Sequence, residues 1–109
     1  MVTLKVSPSI KFRTNPEKDR RIRAHIFVSG QVQGVFFRAK TREKALELGL
    51  YGWVKNLSDG RVEAVFEGRS SQVEEILGWA KSGPPGAKIE DLELIYEAYK
   101  AEFTNFEVR

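Results

Sequence analysis

The stretch Val28–Arg38, Val-Ser-Gly-Gln-Val-Gln-Gly-Val-Phe-Phe-Arg, holds the residue types that an anion site needs. Gly30 and Gly34 bracket a short loop. The apolar run Ile26-Phe27-Val28 leads into it, and a helical pattern starts at about Arg38. A glycine loop between strand and helix can aim several main-chain N–H groups at one anion, and the helix N-terminus adds partial positive charge. Arg38 can fork two hydrogen bonds onto a phosphate or carboxylate. The spacing thus reads as an oxyanion cradle closed by one arginine. It also fits glycines that only make a turn, and a surface arginine in a solvent salt bridge. A cation at the positive end of a helix is unfavourable unless an anion arrives there, which favours the cradle. Asn56 is the second candidate. It reads either as a turn residue before a hairpin or as an amide whose carbonyl accepts from a water molecule.

Other chemistries lack their residues. There is no cysteine, so thiol catalysis, thiolate metal sites and disulfides are excluded. His25 is the lone histidine, and a structural or solvent role is expected for it, with no metal site. Ser29, Ser58, Ser70 and Ser71 have no histidine arrangement for a hydrolase triad. Asp59 reads as a turn residue, and Glu90, Asp91 and Glu93 as solvated strand positions. Stacking bases on a sheet takes several exposed rings. Strand Arg61–Glu67 offers only Phe66, on one face with Val62 and Ala64, and Phe27 alone is a poor platform. Nucleic-acid binding is not expected.

The elements that must position Arg38 and Asn56 follow from periodicity. Ala24–Ser29 reads as a strand with Ala24, Ile26 and Val28 on one face. A helix over 38–48 carries the stripe Phe37, Thr41, Ala45 and Leu48 and ends at Gly49 with Leu50 as its apolar contact. Tyr51–Leu57 and Arg61–Glu67 are strands joined by the hairpin signal Ser58-Asp59-Gly60. A second helix begins at Ser70 or Ser71, where Ser71-Gln-Val-Glu74 has a capping-box pattern. Val73, Ile76, Leu77 and Ala80 form its core stripe, and Gly83-Pro84-Pro85-Gly86 stops it. A long strand over Lys88–Glu97 puts Leu92, Leu94 and Tyr96 on one face, and a short strand spans Phe106–Val108. The order is β-α-β-β-α-β plus a terminal strand. That is an α+β, ferredoxin-like sandwich, with two helices on one face of a mostly antiparallel sheet.

A chain of 109 residues suffices for one core and buries roughly 65% of its unfolded surface. With 41% hydrophobic and 30% charged residues it is ordinary for a globular protein. No apolar run has transmembrane length and no signal-peptide pattern opens the chain, so a cytoplasmic location is expected, with no membrane partner. The net charge of +3 is uneven: residues 1–23 carry +5, leaving −2 on residues 24–109. Residues 1–23 read as a basic, flexible or loosely docked extension and residues 24–109 as the folded domain.

The stretch Val28–Arg38 resembles the first acylphosphatase signature. The block Gly52-Trp53-Val54-Lys55-Asn56, with Gly60, Val62 and Gly68 after it, is similar to the second, and the resemblance runs from about Ala24 to Arg109. It implies hydrolysis of acyl phosphates to a carboxylate and inorganic phosphate. It also implies that Arg38 and the main chain of Gln33, Gly34, Val35, Phe36, Phe37 and Arg38 hold the phosphoryl group, and that Asn56 orients the attacking water. An acyl phosphate already has a good leaving group, so positioning and charge stabilisation can suffice. No cofactor, metal or covalent intermediate is expected. Inorganic phosphate is the expected product and inhibitor, and a monomer the expected form. The alternative is a non-catalytic module of the same fold that binds a phosphate- or carboxylate-bearing ligand.

Overall fold

The structure, a computed structural model, describes residues 19–109. The element order is β1 (Arg21–Gln31), α1 (Phe37–Glu47), β2 (Tyr51–Asn56), β3 (Val62–Arg69), α2 (Ser70–Ser82), β4 (Lys88–Glu97) and β5 (Phe106–Val108). The five strands form one sheet in the order β4-β1-β3-β2-β5. β5 runs parallel to β2, and the other neighbouring pairs are antiparallel. This is the ferredoxin-like plan that the periodicity predicts. No helix among the described residues is long and apolar enough to cross a membrane.

The alternation in the strands decides which face is buried. Ala24, Ile26 and Val28 of β1 stand opposite Phe66, Ala64 and Val62 of β3. These side chains join Phe37 and Ala45 of α1 and Val73, Ile76, Leu77 and Ala80 of α2 in one core. α1 ends in a Schellman motif: Gly49 N–H donates to Leu46 O at 3.2 Å and Leu50 N–H to Ala45 O at 2.9 Å.

Two expectations need correction. β1 begins at Arg21, before Ala24, so the end of the predicted extension is strand. Arg23 there is buried. It donates to Glu97 at 2.9 Å and Glu102 at 2.6 Å and lies 3.4 Å from Glu67. Glu67 is itself buried, and its carboxylate accepts from the N–H groups of Lys100 and Glu102. The charge of Arg23 is therefore spent inside the fold. The rest of the predicted extension, residues 1–18, lies outside the described residues. The second correction concerns the start of α2. No side chain caps it from the N-cap position, Arg69. Asp19 does so instead, accepting from Ser71 N–H at 3.1 Å and from the hydroxyls of Ser70 and Ser71 at 2.8 and 2.9 Å. Sequence spacing could not show this, because the capping carboxylate arrives from before β1.

Candidate active site

The loop after β1 is built by backbone that few residues adopt. Gly30 sits at a register shift between β1 and β4, where a side chain would clash with the Lys88 carbonyl. Gly34 has φ 76°, and a Cβ added there meets no atom within 4 Å, so the loop turns beside open space. Phe36 also lies in the left-handed region, at φ 60° and ψ 22°, directly before the helix. A left-handed residue followed by a helical one turns successive N–H groups to the same side, the geometry of an anion nest. Among the described residues, none of the N–H groups from Gly34 to Arg38 donates to a main-chain or side-chain acceptor. The helix start is anchored from below. Phe37 is buried with its ring 5.8 Å from that of Trp79, and the Thr41 hydroxyl donates to Phe37 O at 2.7 Å.

α1 begins at Phe37, one residue earlier than the pattern suggests, which places Arg38 in its first turn. Its guanidinium donates to the main-chain oxygen of Arg109 at 3.2 Å. β5 makes that contact possible by pairing with β2 along Gly52–Val54, with Arg109 N–H donating to Val54 O at 2.8 Å. Asn56 closes β2 opposite Val62. Its Oδ1 is buried with no hydrogen-bond partner among the described residues, an acceptor left for a donor from outside them. The Gln33 side chain has a different role from its main chain. Its Nε2 donates to Leu57 O at 2.8 Å and Arg61 O at 2.9 Å, tying the loop to the hairpin that carries Asn56.

Arg38, Asn56, Gly34 and Phe36 line one pocket of about 310 Å³, with Val32 and Val108 among its walls. The fold thus brings together the two residues singled out for chemistry and the middle of the loop that leads into α1. Sequence reasoning missed Val108 and the Arg109 main chain, because nothing in spacing says that a three-residue strand will dock beside a helix start. A larger cavity, about 440 Å³, lies beside residues 102–105. Its carboxylates Glu102 and Glu107 repel anions, and Arg109 already covers the Trp53 ring at 5.0 Å.

The remaining candidates are occupied elsewhere. His25 lies between Glu97, 2.8 Å from Nδ1, and Glu63, 2.6 Å from Nε2, on the sheet face away from the helices. Asp59 accepts from the N–H and side chain of Arg61, which hold its carboxyl below the usual carboxylate range, as suits a hairpin turn. Among the described residues no group of three His, Cys, Asp or Glu converges as metal ligands.

Comparison with known proteins bears on what this pocket does. The acylphosphatase family model matches residues 24–108. An acylphosphatase of Aeropyrum pernix is 56% identical over 93 residues, covering 84% of this chain and 92% of the relative. Among solved structures, an acylphosphatase from Coxiella burnetii superposes with a TM-score of 0.79 at 41% identity, covering 89% of this chain and all of that one. An acylphosphatase from Bacillus subtilis gives 0.78 at 33% identity, covering 81% of this chain and 98% of that one.

Proposed function

Because the chain belongs to the acylphosphatase family, we infer that the pocket between α1 and the end of β2 is where it hydrolyses acyl phosphates to a carboxylate and inorganic phosphate. The match does not favour the non-catalytic binding module. One observation carries the assignment of roles: Asn56, whose Oδ1 has no partner among the described residues, lines the same pocket as Arg38 and the loop whose N–H groups find no acceptor there.

The proposed chemistry follows from those groups. The N–H groups of the loop Gln33–Arg38 and the Arg38 guanidinium hold the phosphoryl oxygens. Charge on these oxygens is redistributed as the transition state forms, so fixed donors there lower the barrier. Asn56 Oδ1 accepts a hydrogen bond from water and places its oxygen in line with the bond to be broken. The water oxygen bonds to phosphorus, the phosphorus–oxygen bond to the acyl group breaks, and its electron pair leaves with the carboxylate. A phosphoryl oxygen of the substrate takes the proton that the water loses, since among the described residues no side chain lining the pocket is a general base.

A monomer is the proposed acting form. A cytoplasmic location is the matching proposal, as is competitive inhibition by inorganic phosphate. Phosphate release from benzoyl phosphate tests the assignment of the pocket. The unmodified protein should turn over and variants at Arg38 should lose that turnover. Full activity without Arg38 would overturn the assigned site.

A further inference from the structure

The pocket's lining is of two chemical kinds. Arg38, Asn56 and the loop N–H groups are polar. Phe36 and Val108 are apolar side chains of the same lining. Phe36 is 78% exposed and Val108 43% exposed. An exposed phenyl ring in the left-handed region is doubly unfavourable: the ring meets water, and a bulky residue at positive φ costs about 1 kcal/mol or more. Core packing does not account for it, because the buried aromatic of this loop is the next residue, Phe37. What the conformation achieves is to keep Phe36 in the lining of the pocket while, among the described residues, the N–H groups from Gly34 to Arg38 find no acceptor.

We propose that Phe36 and Val108 select the acyl group, favouring acyl phosphates whose acyl part is uncharged and apolar, of ring or branched-chain size. This rests on the phosphoryl group lying in the cradle as proposed above. With the phosphorus end fixed there, the acyl group meets the rest of the lining, to which Phe36 and Val108 contribute exposed apolar side chains. Contact with an apolar acyl group removes water from the exposed ring, whereas a charged acyl group would have to be partly desolvated against it with no partner. A pocket of about 310 Å³ has room for a phosphate and a small ring.

The test compares kcat/KM for benzoyl phosphate and acetyl phosphate in the unmodified protein and in Phe36→Asn. Asparagine tolerates the left-handed region, so the loop keeps its course, and the apolar ring is removed. Benzoyl phosphate should lose about tenfold more kcat/KM than acetyl phosphate does. Val108→Thr, nearly isosteric, should shift the same ratio in the same direction by about threefold. Parallel losses for both substrates would mean that Phe36 serves only the loop, and no loss for either would mean that the acyl group does not meet these side chains. Either result overturns this inference while leaving the hydrolytic reading intact. Failure of the unmodified protein to hydrolyse either compound would overturn both.

Discussion

The Gln33 carboxamide donates to the Leu57 carbonyl at 2.8 Å, and the same nitrogen reaches Arg61 O at 2.9 Å. One side chain thereby fixes the loop after β1 against the turn after β2, and so fixes Arg38 relative to Asn56. Gln33→Glu places an acceptor where a donor is needed, facing two carbonyl oxygens. We expect it to lower kcat by about tenfold or more, with Gln33→Ala milder, because small displacements of positioning groups carry large rate costs. Equal, small effects of both substitutions would show that the tie is incidental.

Arg38→Lys keeps the charge and loses the planar fork. If the guanidinium clamps two phosphoryl oxygens, kcat falls by about 10²–10³ and inorganic phosphate inhibits more weakly. Melting should stay within about 0.5 kcal/mol of the unmodified protein, since the bond given up joins exposed groups. Near-normal turnover in the lysine variant would remove Arg38 from the clamp.

Asn56→Ala removes a buried acceptor that has no partner among the described residues. Stability should hold, while kcat drops about 10²-fold and inhibition by phosphate changes little, because the amide acts on water and not on the resting anion. Matching losses in both quantities would place Asn56 on the phosphate or the loop instead.

The cap at α2 makes a prediction about the N-terminal boundary. Starting the chain near Arg21 removes Asp19, and Asp19→Ala removes only its carboxylate. Both should lower the melting temperature and leave kcat near normal, since Asp19 lines no part of the pocket. The bond from Ser71 N–H holds the Asp19 carboxyl below its usual range, so the stability it adds is complete above the ordinary carboxylate pKa and fades as pH falls through the depressed value. A folded but inactive truncation would mean that the segment reaches the site.

Glu97 offers a second pH test. Hydrogen bonds from His25 first, and from Arg23, hold its carboxyl below the ordinary value. In the unfolded chain the group titrates normally, so its contribution is complete above that range and disappears as pH falls through the depressed value. Glu97→Gln should cost about 1 kcal/mol at neutral pH, between exposed and buried pairs, because the side chain is 33% exposed. The gap between variant and unmodified protein, followed by denaturant unfolding, should close on acidification. A gap that is constant with pH would assign the loss to packing.

The sequence by itself determined the plan of the fold and pointed to the two residues proposed for the chemistry. Period-2 alternation in Val62–Phe66 and the helical spacing of Val73, Ile76, Leu77 and Ala80 each serve one buried face, so local pattern was enough. Gly34 and Arg38 were legible because a loop opening a helix imposes its own residue types. Tertiary structure decided whatever depends on distant segments meeting. Asp19 caps a helix that starts 51 residues later, Arg23 spends its charge on Glu97 and Glu102 across the chain, and Arg109 meets Arg38 only because β5 docks parallel to β2. The left-handed Phe36 was equally hidden, since phenylalanine has no preference for that region and only the closure of loop and helix onto the sheet holds it there.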